Sequence, residues 1–142
     1  MKRSKSPCIC QNIRRAANVV TAFYDSVMKP LGITANQYSI LRHVQVLAPC
    51  TTTKLAEAMG LERTTLTRNL KPLTQAELLE DFATSGQRDH QYQLTGSGEK
   101  LLKKALPRWE KSQKQLQHHI GEKEMILFMK VLFQLEEMQD EQ

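Results

Sequence analysis

The segment that most restricts this fold is the last one. Residues 125–135 read MILFMKVLFQL, and in the helix expected over 122–139 they are apolar almost all the way round. A helix without a polar face must be covered on every side. Six short helices of one domain cannot cover a terminal helix so completely, so a second copy of the chain is expected: a homodimer. No uninterrupted apolar run reaches the ~18 residues that a membrane span needs, and no membrane partner is expected. Met1 to Pro7 is basic, with no apolar run behind it, so a cytoplasmic chain with reduced cysteines is expected. At 142 residues and 40% hydrophobic, the chain reads as a single domain, 1–142.

The rest of the chain alternates short helices with clear stop signals. Ile13, Ala16, Ala17, Val20, Phe23, Tyr24 and Val27 recur at helical spacing, and Pro30 and Gly32 close that helix. Thr34-Ala35-Asn36-Gln37 reads as a capping box. It opens a second helix carrying Tyr38, Ile40, Leu41, Val44 and Leu47 as far as Pro49. A third begins within Thr51–Thr53 and stops at Gly60. A fourth opens at Glu62 and buries Leu66, Leu70 and Leu73. Over 79–94 the helical stripe disappears. Leu79 to Thr84 and Gln91 to Leu94 alternate instead, around a polar tip, which predicts a projecting and mobile β-hairpin. From Thr95 a long helix carries Leu101, Leu102, Ala105, Leu106, Trp109 and Leu116, with Pro107 expected to bend it.

Helix, glycine turn, helix, then hairpin is the order of a winged helix-turn-helix. The expected fold class is mainly α with a small β-hairpin wing. Residues 34–95 would form the DNA-binding region, and the N- and C-terminal helices, 10–30 and 96–140, a helical dimerisation region. On the fourth helix Thr64, Thr65, Arg68 and Asn69 share a face opposite Leu66, Leu70 and Leu73. Arg suits guanine, Asn suits adenine, and Thr methyls suit thymine. Arg63, Thr67 and Lys71 on that helix, with Arg88 and His90 on the wing, complete the expected contacts to double-stranded DNA. The chain has 20 Lys and Arg against 15 Asp and Glu, a net charge of +5. The winged region is not basic overall: Arg63, Arg68, Lys71 and Arg88 face Glu62, Glu77, Glu80, Asp81 and Asp89. The DNA-binding reading rests on where the positive charges lie.

In this order the motifs resemble the MarR (multiple antibiotic resistance regulator) family over nearly the whole chain. The stretches that carry the likeness are Leu31-Gly32-Ile33-Thr34 through Gln37, Leu55-Ala56-Glu57 with Gly60-Leu61, and Thr65-Leu66-Thr67-Arg68-Asn69-Leu70. Arg88-Asp89 and Leu94-Thr95-Gly96-Ser97-Gly98 complete it. The resemblance implies an all-helical dimer with a β-wing that represses transcription and leaves its pseudo-palindromic operator when a small phenolic or aromatic ligand binds, or when a cysteine is oxidised. Two places depart from the family pattern. Gly86 stands where the wing usually has an Asp that braces the Arg, and Glu77 stands where a Gly usually ends the recognition helix, which Pro72 also interrupts.

Other residues admit competing readings. Tyr24, Tyr38, Arg42 and His43 would suit a pocket for a phenolic carboxylate, or Tyr38 is ordinary half-buried core. Cys8, Cys10 and Cys50 are candidates for oxidation sensing: Cys8 could react and Cys10 resolve a sulfenate, while Cys50 beside Pro49 suits a packed small hydrophobe equally well. His118 and His119 point about 100° apart on a helix, so no metal site is expected with Cys8 and Cys10. No phosphate loop, carboxylate pair or nucleophile triad is visible, so neither an enzyme nor a cofactor is expected. A winged helix that contacts only protein is the remaining alternative.

Overall fold

The computed structural model describes residues 5–84 and 89–141. In chain order the helices are α1 (Ile9–Met28), α2 (Ala35–Leu47), α3 (Thr52–Met59), α4 (Arg63–Gln75), α5 (Gly96–Ile120) and α6 (Glu122–Glu137). Strands β1 (Cys50–Thr51), β2 (Leu79–Asp81) and β3 (Gln91–Leu94) form one antiparallel sheet in the order β1-β3-β2. Cys50 lies opposite Tyr92, and Leu79 opposite Leu94.

Side-chain caps set most of the boundaries. A single 3-10 turn, Lys29–Leu31, contains Pro30 and ends at Gly32, whose φ of 74° is left-handed. The capping box at Thr34 is formed. Gln37 N–H donates to Thr34 Oγ1 at 3.1 Å, and Thr34 N–H donates to Gln37 Oε1 at 2.9 Å. Asp25 Oδ1 accepts from Ala35 N–H at 2.8 Å, which joins the end of α1 to the start of α2. Thr51 caps α3 by accepting from Lys54 N–H, and Gly60 stops it in the left-handed region. Helix α4 does not break at Pro72 but continues to Gln75, and α5 likewise runs through Pro107.

The core lies between α2, α3, α4 and the sheet. Ile40, Leu41, Val44, Leu55, Leu66, Leu70, Leu73 and Leu79 are buried there, each stabilising the fold by about 1.5–3 kcal/mol relative to exposure. Met28, Leu102 and Ala105 extend it to α1 and α5. Ser112, buried in α5, is satisfied by donating to Arg108 O at 2.8 Å. Helix α6 has no buried residue. Ile126, Leu127 and Phe133 are 68%, 62% and 56% exposed, and Ile9, Val19 and Val20 of α1 are exposed too.

Two expectations about the wing are corrected. The sheet has a third strand, β1, which pairs with β3 far along the chain. Its first outer strand ends at Asp81 rather than Thr84, because the Asp81 carboxylate takes the N–H groups of Ala83 and Gln91. Among the described residues, only the Phe82 N–H to Gln91 O bond prolongs the ladder. Among the described residues no helix is long and apolar enough to cross a membrane.

Candidate DNA-binding surface

Helix α3 packs on α2 and α4 through Leu55 and Ala56, both buried, and the Gly60 turn then sends α4 outward. The three leucines of α4 are its inner face, at 0–2% exposure, which fixes what the outer face presents. Arg63, Thr64, Thr67, Arg68 and Lys71 are exposed, and Thr65 and Asn69 are half-buried at the edge of that face. Thr67 turns its hydroxyl back to Arg63 O at 2.8 Å, so it presents mainly its methyl group outward. Among the described residues Arg68 has no ion-pair partner. Such an exposed cation on a braced helix suits the acceptor edge of a base or a phosphate.

The hairpin lies beside this helix. Arg63 reaches across to Asp89 at 3.6 Å, both side chains more than half exposed, so the start of α4 is paired with the wing. Residues 85–88 lie outside the described residues, and with them Arg88 and Gly86. His90 lies along the hairpin and stays exposed: its Nδ1 donates to Asp81 Oδ2, and its ring stacks on Tyr92 with centroids 5.9 Å apart. Burial pushes the Asp81 carboxyl up, but hydrogen bonds from His90 and from the N–H groups of Ala83 and Gln91 outweigh that and hold it below the usual carboxylate range. Burial pushes the Tyr92 phenol up, with the hydrogen bond from Thr52 working against it.

Sequence reasoning missed the pairings that Asp81 and Asp89 make in the site: Asp81 counted only as negative charge, and Asp89 only as negative charge and as part of the Arg88-Asp89 motif. The hairpin register was the available signal: an antiparallel pair with Asp81 opposite Tyr92 brings Asp81 close to His90.

The four residues proposed for a pocket do converge. Tyr24, Tyr38, Arg42 and His43 line a cavity of about 330 Å³ between α1, α2 and α5, with Met28 and Trp109 as apolar wall. Trp109, not foreseen there, stacks on Tyr38 at 6.4 Å. Tyr24 donates its hydroxyl to Gln113 Oε1. His43 Nδ1 lies 2.8 Å from Ser39 O, and Arg42 donates to Gln45 Oε1. Burial pushes the Tyr38 phenol up; Arg42 opposes the shift and Glu110 adds to it. Cys8 and Cys10 are both exposed, whereas Cys50 is buried. Burial pushes the Cys50 thiol up more than Lys54 pulls it down, which suits packing rather than reactivity. Among the described residues no group of three or more His, Cys, Asp or Glu side chains could hold a metal ion.

A braced recognition helix with an exposed arginine, flanked by an antiparallel wing, defines a winged helix-turn-helix DNA-binding regulator. The MarR family model matches residues 33–83. A structure of the Mycobacterium tuberculosis transcriptional regulator MosR in complex with DNA is 36% identical, with 80% of this chain and 84% of that one covered and a TM-score of 0.72. The chain belongs to the MarR family of DNA-binding transcriptional regulators, a family that is not an enzyme class. The same fold is seen at 19% identity in two further structures. One is a mutant Escherichia coli MarR with operator DNA, at a TM-score of 0.81 with 89% of this chain and 92% of that one covered. The other is Bordetella bronchiseptica BpsR, whose DNA binding is regulated by 6-hydroxynicotinic acid, at a TM-score of 0.83 with 96% and 99% covered.

Proposed function

We propose that this regulator is a homodimeric repressor that binds a pseudo-palindromic operator in the cytoplasm and leaves it when a small aromatic acid enters the cavity between α1, α2 and α5. The observation that carries the reading is that cavity. Its wall is aromatic, with Arg42 and His43 placed for a carboxylate, and α2 packs directly on the α3–α4 unit. A ligand wedged against Tyr38 and Arg42 acts on the junction between the DNA-reading helices and the long helices. The regulation of BpsR by an aromatic acid supports this ligand class. The dimer reading rests on the uncovered apolar sides of α6 and α1. A twofold pair would set its recognition helices ~34 Å apart, one turn of B-DNA, with Arg63, Thr64, Thr65, Thr67, Arg68, Asn69 and Lys71 facing the groove and Arg88 and His90 on the wing.

An effector shifts this equilibrium only if it binds the DNA-incompetent form more tightly, typically by ~1–3 kcal/mol. Calorimetry of 6-hydroxynicotinic acid and of benzoate against the free protein and its complex with a genomic fragment selected for binding tests this. Affinity lower for the complex supports release. Equal affinity, or none, removes the effector reading while leaving DNA binding intact. A second reading rests on the exposure of both Cys8 and Cys10. Peroxide would oxidise one thiolate to a sulfenate, and the other would displace hydroxide to give a disulfide. Loss of DNA binding on peroxide titration, absent in the Cys8→Ser variant, would favour it.

A further inference from the structure

We infer that Asp81 is the positioning residue of a protonation-dependent phosphate contact made by His90 on the wing. The inference rests on the wing's facing DNA, as proposed above.

Both oxygens of the Asp81 carboxylate are engaged. Oδ1 accepts from Ala83 N–H and from Gln91 N–H, each at 3.1 Å. Oδ2 accepts from His90 Nδ1. The carboxylate therefore cannot swing away from the imidazole. The ring is held a second time by stacking on Tyr92, 30° from parallel, and Tyr92 is itself 7% exposed within β3. Asp89, the chain neighbour of His90, carries a further charge and pairs with Arg63 of α4 at 3.6 Å. His90 remains 58% exposed, and Nε2 is the nitrogen left for a ligand.

This arrangement decides the tautomer. An ionised carboxylate only accepts, so the Nδ1 beside it must carry the proton. In the neutral ring Nε2 then holds a lone pair, which a phosphate oxygen repels. On protonation the same atom becomes a charged N–H donor, which a phosphate attracts. A histidine free to choose its tautomer could offer an Nε2 donor in the neutral state as well. Asp81 removes that option, and so converts an ordinary polar contact into one that exists only when the ring is charged. The sign follows: the contact is present at acidic pH and lost as pH rises, and DNA binding takes up protons.

Two variants test this. Asp81→Asn keeps an oxygen for Ala83 and Gln91 but turns an amide N–H toward Nδ1, which moves the neutral ring's proton to Nε2. His90→Phe keeps the stack on Tyr92 and removes both nitrogens. Binding to a selected genomic duplex and to a scrambled duplex of equal length is measured across a pH series from about 5.8 to 7.8, with folding of each variant checked by thermal unfolding. Wild-type affinity is expected to fall roughly two- to fivefold per wing across that range, equally on both duplexes because a phosphate carries no sequence. The fall should vanish in His90→Phe, which stays weak throughout, and flatten in Asp81→Asn, which stays tighter than wild type at the alkaline end. The wild-type salt slope should be steeper at the acidic end by about one per wing, and His90→Phe should show no such change. A pH dependence in His90→Phe equal to wild type, or an Asp81→Asn variant that falls as steeply as wild type, overturns the inference with DNA binding intact. Failure to bind any duplex at any pH overturns the DNA-binding reading itself.

Discussion

Substituting Gly98 tests how closely the wing root packs on α5. A Cβ built on Gly98 lies 2.2 Å from Leu78 O and 3.2 Å from Leu78 C, roughly 1 Å short of ordinary contact. The carbonyl cannot easily retreat, because it accepts from Thr95 N–H at 3.2 Å. Thr95 also caps α5 by accepting from Gly98 N–H at 3.0 Å, and it donates its hydroxyl to Glu77 O at 2.6 Å. The end of α4, the root of β2 and the start of α5 are thus tied at one point. Overpacking against fixed atoms costs ~1–3 kcal/mol, and losing the Thr95 bond costs ~1 kcal/mol more. Replacing glycine in a helix returns at most ~1 kcal/mol. Gly98→Ala should therefore destabilise the protein by about 2 kcal/mol, lowering Tm by roughly 6 °C at ~3 °C per kcal/mol. Gly96 supplies the control. It begins the same helix and nothing lies within 4 Å of its built Cβ, so Gly96→Ala should be neutral or stabilising by ~0.5 kcal/mol. Urea unfolding at fixed protomer concentration measures both. A Gly98→Ala protein as stable as Gly96→Ala would refute the close approach.

Glu77 has a left-handed φ of 57°, which costs a residue with a side chain ~1–2 kcal/mol. Glu77→Gly, at an exposed position, should raise the unfolding free energy by ~1 kcal/mol net of glycine's unfolded-state entropy, and an unchanged urea midpoint would argue against strain there. Ile126 is 68% exposed in one chain, so Ile126→Lys leaves the single-chain fold unharmed. If α6 forms the dimer seam, sedimentation should show this variant dissociating at concentrations where the parent is dimeric; an unchanged dimer would place the seam elsewhere. A thiol reagent should titrate Cys8 and Cys10 in the folded protein and Cys50 only on unfolding, because Cys50 is 1% exposed under Tyr92. Rapid reaction of all three thiols would contradict that packing.

What could be read from the chain followed from how local each interaction is. The Thr34 capping box, the Gly60 stop and the leucine stripe of α4 each depend on residues within a turn or two, and all three stand as expected. Strand β1 is two residues long, and its partners Gln91 and Tyr92 lie far along the chain, so no local alternation marks it. The early end of β2 comes from one carboxylate competing for backbone donors, which an alternation pattern does not register. Tyr24, Tyr38, Arg42 and His43 can be grouped from the sequence because three lie within two turns of α2, and all four line one cavity. Trp109 joins them only through the packing of α5 on α2. The pairings of Asp81 with His90 and of Asp89 with Arg63 were invisible to a count of charges, which records sign and not position.

The central claim is that the outer face of α4 reads DNA, with Arg68 at a base edge. The most direct test compares wild type and Arg68→Ala on a selected genomic duplex and on a scrambled one, by fluorescence anisotropy across a range of salt concentrations. The account predicts that wild-type affinity for both duplexes falls steeply with salt. It also predicts that Arg68→Ala loses ~1–3 kcal/mol on the selected duplex and much less on the scrambled one. Salt-independent binding, or an equal loss on both duplexes, would contradict it.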